Sequence, residues 1–220
     1  MSEKMLVTQA LDERDLLVKK IADKIAKASF VDTIKPNEDK VYARRMEKSE
    51  YAKEAEASYQ QIVDLMERFQ NIDSAIAASN ARTEVTTSYG TFTVAGAISL
   101  RSRLRGLGAY EGEADFEGKH QNKLKNEYNE RVRFCDTKNS QLQSTAEEMR
   151  LSILGRDAKT KDEKPLGVVD AYVKENTTEL VDPLDVKKKI DALQEKRTTL
   201  LMELDTQIKV SNATTFIEIV

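Results

Sequence analysis

At 220 residues, with 33% charged and 6% aromatic side chains, no Trp, 3 Pro and 8 Gly, the chain can bury a core but is too poor in turn residues for a sandwich or barrel. Its formal charge of −3 is spread over interleaved signs, so neither nucleic acid nor an anionic membrane is expected as a partner. A lone cysteine, Cys135, and a lone histidine, His120, exclude an intramolecular disulfide and a Cys/His zinc cluster.

The composition predicts a mainly α, metal-free and cofactor-free protein. The opening "MSEKMLVTQALDERD" is charged from its third residue and lacks a signal-like apolar run, which predicts a cytoplasmic location. No stretch has transmembrane length and apolarity. Asn176-Thr177-Thr178 and Asn212-Ala213-Thr214 match the glycosylation pattern, but without a signal peptide they read as chance matches.

From Val7 the apolar positions Val7, Leu11, Val18, Ile21 and Ile25 step by four and three, with Arg14 in the slot between. That is a heptad seam on a first helix. It should end between Ser29 and Pro36, where "SFVDTIKPNED" gathers β-branched residues and a proline. A second helix, roughly Lys48 to Ser79, carries Ala52, Ala55, Tyr59, Ile62, Met66, Phe69, Ile72 and Ile76 on one face.

Val85, Thr86, Thr87 and Tyr89 before Gly90, with Thr91, Phe92 and Thr93 after it, predict a short β-hairpin or extended loop around Ser88 to Gly90. Thr93 is placed to cap a third helix whose apolar face includes Val94, Ala97, Ile98 and Leu104. "GLGAYEGEADFEG" has four glycines in thirteen residues, the mark of a loop or hinge.

Helix resumes over Phe116 to Leu154, with Leu124, Tyr128, Val132, Cys135, Leu142, Met149 and Ile153 on an irregular stripe. "GRDAKTKDEKPLG" has linker composition, and "VVDAYVKENTTELV" fits a strand or a short helix equally well. In the last helix Asp182 is a natural N-cap, Pro183 suits the first position and Asp185 favours the dipole. Its seam is Val186, Ile190, Leu193, Leu200 and Leu204, with Arg197 between. The polar, then β-branched and aromatic ending at Asn212 to Val220 predicts a C-terminal strand added to the hairpin, within or between subunits.

Three blocks, "QALDERDLLVKKI", "SNARTEVTTSYGTFTVAGAISLRSRL" and "IDALQEKRTTLLMELDTQIKVSNATTF", together resemble the DIP1984 family, often labelled septicolysin-like. The likeness covers about two thirds of the chain, at its two ends. Two departures stand out: Ala213 lies beside the closing Asn212 where the family usually has Trp, and the link from the middle helix to the last is longer. The resemblance therefore divides the chain into a core over 1–108, an insertion over 109–180, and the last helix and strand over 181–220. It implies a coiled-coil or helical-bundle protein that assembles as a homo-oligomer, with no established catalytic activity. A pore is not expected, since neither a spanning helix nor an amphipathic barrel hairpin is present.

Two sets of residues are candidates for chemistry. Arg14 and Arg197 fall on seams, where a guanidinium needs a carboxylate or phosphate partner. An internal ion pair with Asp12, Asp15, Glu203 or Asp205 is the simpler reading, and an anion site between helices the sharper one. Asn80, Arg82 and Thr83 at one helix end, Thr91 and Thr93 before another, Arg101 and Arg105 on one face of "LRSRLR", and Asn212, Thr214 and Thr215 could converge on a small anionic ligand such as a cyclic nucleotide. Ordinary capping and solvated ion pairs explain the same residues.

No dinucleotide fingerprint, phosphate-binding loop, metalloprotease helix or nucleophile elbow is present in the sequence. Cys135 reads as a small hydrophobe and His120 as a surface or seam residue. The sequence thus favours a non-enzymatic homo-oligomeric interaction protein, with an oligomeric module that sequesters an anion as its rival. An enzyme, which would need a catalytic pair of carboxylates with Tyr or Thr, ranks last.

Overall fold

The computed structural model describes residues 3–156 and 164–219, and the expected linker's residues 157–163 lie outside them. The fold is mainly α, as expected. In chain order the elements are β1 (Glu3–Leu6), α1 (Val7–Lys27), α2 (Lys48–Arg82), β2 (Glu84–Thr87), β3 (Gly90–Thr93), α3 (Val94–Arg105), α4 (Ala109–Glu113), α5 (Phe116–Arg156), α6 (Lys164–Asn176), α7 (Val186–Thr214) and β4 (Phe216–Ile219). No helix among the described residues is long and apolar enough to cross a membrane.

The chain forms two compact units, one from the residues up to Ser102 together with those from Leu200 on, the other from Arg103–Thr199. In the first unit, α1 and α2 are linked by a loop clamped by Asp32. Its carboxylate accepts the backbone N–H of Thr33 (2.7 Å), Ala43 (3.1 Å) and Arg44 (3.0 Å). The core joins Met5, Val7, Ala10 and Leu17 to Ile72, Ile76, Ile217 and Ile219.

The α1 seam needs correction. Leu17 is buried and Ile21 packs against the core, but Val18 and Ile25 are 52% and 51% exposed. On α2, Ile62, Ile72 and Ile76 are buried, whereas Tyr59 and Met66 are 62% and 44% exposed. Two helices meeting alone bury only one flank of each apolar stripe, and the other flank stays in solvent.

The C-terminal strand is also corrected. β4 pairs antiparallel with β1, not with the hairpin: Lys4 lies opposite Glu218 and Met5 opposite Ile217. β1 escaped the sequence reading because only Met5 of its four residues is buried, too little alternation to separate a strand from a helix start. Gln9 Oε1 accepts the Leu6 N–H at 3.0 Å, fixing where β1 becomes α1.

β2 and β3 form the expected hairpin. Its tip is held by Glu203 of α7, which accepts both the N–H (2.8 Å) and the hydroxyl (2.9 Å) of Ser88. Thr93 caps α3 as predicted, its Oγ1 accepting the Gly96 N–H at 3.1 Å.

In the second unit, the open reading of "VVDAYVKEN" resolves as helix α6. Its Val169 is buried, as are Leu142 and Ala146 of α5, and Arg150 bridges α5 to Asp170 at 2.8 Å. Asp182 accepts the Val186 N–H at 2.9 Å but stands four residues before it, so α7 starts later than expected, at Val186. The glycine-rich loop holds the short helix α4 and ends on Asp115, whose Oδ1 caps α5 by accepting the Gly118 N–H at 3.0 Å.

Gly118 is buried because the Asp115 carboxylate lies over it. A Cβ there would stand 2.8 Å from Asp115 Cγ and 3.0 Å from Arg197 Nη1. Gly118→Ala should therefore cost about 1–3 kcal/mol of stability. A urea midpoint matching that of the unaltered chain would contradict this.

Candidate functional site

Each seam arginine meets a carboxylate. Arg14 Nη1 donates to Asp73 at 3.2 Å, with Asp15 3.5 Å from its other terminal nitrogen. Arg197 makes a two-pronged contact with Asp115, at 2.8 and 2.6 Å, and also donates to the Leu104 carbonyl. Both therefore follow the simpler reading, although Asp15 is the only partner among those expected. The Arg197 hydrogen bond, opposed by burial and helped by the Gly118 N–H, holds the Asp115 carboxyl below the usual carboxylate range.

A depressed carboxyl stabilises the fold above its unfolded value of about 3.9, and the contribution fades as pH falls from there towards the folded-state value. The melting temperature should thus drop on acidification below about pH 4, and less steeply in Asp115→Asn. Parallel pH profiles for the two chains would count against the pair.

The remaining predicted residues do not converge as a group. Asn80 lies inside α2, and Asn212 and Thr214 lie inside α7, where Thr214 Oγ1 donates to the Val210 carbonyl at 2.9 Å. Thr91 stands 3.3 Å from Thr86 across the hairpin, and Thr93 is spent as a cap. Arg101 pairs with Asp205 at 3.3 Å, and Arg105 is exposed in the last turn of α3.

Arg82, Thr83 and Thr215 do share one cleft, of about 490 Å³. Helix α2 stops because Thr83 turns extended (φ −76°, ψ 130°) while its N–H still reaches the Ser79 carbonyl at 2.9 Å. Thr215 ends α7 with its N–H on the Ser211 carbonyl, and its own carbonyl accepts the Val7 N–H at 3.0 Å. Lys4, Phe216 and Glu218 from the β1/β4 ribbon complete the cleft, over a floor of small residues on α2.

The Lys4 ammonium sits 5.1 Å from the centre of the Phe216 ring instead of bonding Glu218. The Arg82 side chain has no hydrogen-bond or ion-pair partner among the described residues. Two cations thus face one carboxylate, giving the cleft a net positive balance. The sequence contained no sign of Lys4, because its role depends on the unforeseen strand β1.

The second surface is the exposed flank of the α1–α2 hairpin. Steps of 100° per residue put Val18 and Ile25 to one side of the buried line of α1, and Tyr59 and Met66 to one side of that of α2. In an antiparallel pair both sets turn to the same face. Ile25, Phe30, Ala55, Tyr59 and Ile62, with Glu56 at the margin, line a shared and mainly apolar hollow there, with Phe30 edge-on to Tyr59 at 6.3 Å. The opposite face is closed by polar bridges, Arg68 to Glu13 (2.8 Å) and Lys24 to Gln61 (2.7 Å).

Among the described residues no cluster of three or more His, Cys, Asp or Glu could hold a metal. Cys135 is half-buried and His120 exposed. No protein-family model, curated protein or solved structure matches the chain.

Proposed function

We propose that this chain is a non-enzymatic interaction protein that assembles with copies of itself through the apolar face of the α1–α2 hairpin. The observation that carries this reading is the one-sidedness of the hairpin. Val18, Ile25, Tyr59 and Met66 are 44–62% exposed on one face, where Arg14 and Asp73 form the one polar bridge described, while the other face is closed by the Arg68–Glu13 and Lys24–Gln61 bridges. An apolar patch rimmed by polar residues is the usual form of a protein-binding surface, and its seven-residue spacing suits another helix. The resemblance to the DIP1984 family, carried here as a proposal, points the same way.

The double variant Ile25→Glu/Tyr59→Glu tests it. Both side chains are exposed within one subunit, so helicity should hold while the assembly dissociates to single chains. If the variant keeps the wild-type mass in light scattering, the joining surface lies elsewhere.

One observation favours a second reading, in which the oligomer also binds an anion: Lys4 and Arg82 face one cleft without carboxylate partners. Anions that bind the folded state should then raise the melting temperature, and Arg82→Ala should remove that rise. If no anion shifts the melting temperature, this reading fails.

A further inference from the structure

We propose that the cleft between β4 and the end of α2 takes an extended acidic peptide, which adds to the free edge of β4 as a third strand. This inference rests on the second reading above and names the class of anion.

The Val7 N–H bonds the Thr215 carbonyl, and the register runs on through Met5↔Ile217 and Glu3↔Ile219. Antiparallel pairs alternate between hydrogen-bonded and non-bonded, so the Thr215 carbonyl and the backbone groups of Ile217 and Ile219 face β1. Phe216 and Glu218 point theirs the other way. The sheet has only the strands β1 and β4, and no described residue of another element bonds those outward groups. The edge is a ready template for another strand.

The space beside it suits a strand. A neighbour would lie about 4.8 Å away, over the part of α2 that presents Ala75 and Ala78. Large side chains at these positions would fill the groove, and alanines leave it open. Charge then selects the occupant: Arg82 and Lys4 outweigh Glu218, favouring carboxylates on the incoming chain. A compact anion such as a nucleotide would use Arg82 and Lys4 but leave the edge N–H and C=O groups of Phe216 and Glu218 unused. The peptide satisfies both sets.

The test is an amide-resolved titration of the full chain with four probes: an acetylated octapeptide of alternating Val and Glu, its Val/Lys counterpart, inorganic phosphate and AMP. The Val/Glu peptide is expected to shift the Phe216 and Glu218 amides, and the Val/Lys peptide to leave them unmoved. Glu218→Pro removes an outward N–H without touching the β1 ladder, since Lys4 and Glu218 form a non-bonded pair. It should weaken the Val/Glu peptide at least tenfold even though it deletes a repelling carboxylate. Glu218→Gln, which keeps the N–H, should not weaken it.

Arg82→Glu, at an exposed helix end, should also weaken the peptide at least tenfold, and it keeps the test decisive if Glu218→Pro fails to fold. Equal binding of the Val/Lys peptide would overturn the inference. Shifts with phosphate or AMP but none with the Val/Glu peptide would overturn it while sparing the anion reading. No shift with any probe would overturn both.

Discussion

Replacing Arg197 by Leu is expected to lower the unfolding free energy by about 3 kcal/mol. The Arg197 and Asp115 side chains are only 19% and 16% exposed, so deleting one charge strands the other in a poorly solvated place. Removing both as Asp115→Leu/Arg197→Leu should recover most of the loss, because an ion pair and apolar residues of similar volume are closely balanced. About 1 kcal/mol should remain, since Asp115 also caps α5 through the Gly118 N–H. Urea midpoints of the single and double variants measure this. Equal losses in both would mean that a stranded Asp115 charge is not what makes Arg197→Leu costly.

Ile72→Ala is expected to cost about 3 kcal/mol, because Ile72 is fully buried where α2 meets α1 and the β1/β4 ribbon. Val18→Ala, on the same hairpin but 52% exposed, should change single-chain stability by no more than about 0.5 kcal/mol. Both are best measured in the Ile25→Glu/Tyr59→Glu background, where assembly does not add to stability. Comparable losses at the two positions would mean that Val18 is covered within one chain.

The helices were legible because their apolar positions recur over many turns. The stripe from Ala55 to Ile76 marks α2 with little ambiguity, and Thr93 before Val94 marks a cap that the structure contains. A stripe does not say which of its flanks a neighbour covers, so Val18 and Ile25 could not be told apart from Leu17 and Ile21. Register between helices depends on contacts far apart in sequence, such as Arg14 with Asp73.

The strand pairing was hidden for a related reason. Four-residue strands carry two inward side chains each, and the partner of β4 is chosen by which segment lies beside it at the end of the α1–α2 hairpin. That partner is β1, near the other end of the chain. The Arg197 partner was obscured by distance as well, although Asp115 immediately before Phe116, where α5 starts, is a local N-cap signal that marks Asp115 as structured. Of the expected anion site, Arg82, Thr83 and Thr215 meet because α2 and α7 both end beside β4. Asn80, Asn212 and Thr214 drop out because those helices run further than their sequences suggested.

The proposed role of the free flank of the α1–α2 hairpin is to join copies of this chain. Size-exclusion chromatography with light scattering on the unaltered protein at micromolar concentration measures it most directly. A mass at a whole multiple, two or more, of 24.9 kDa is the predicted result. A species of 24.9 kDa that persists as concentration rises would contradict it.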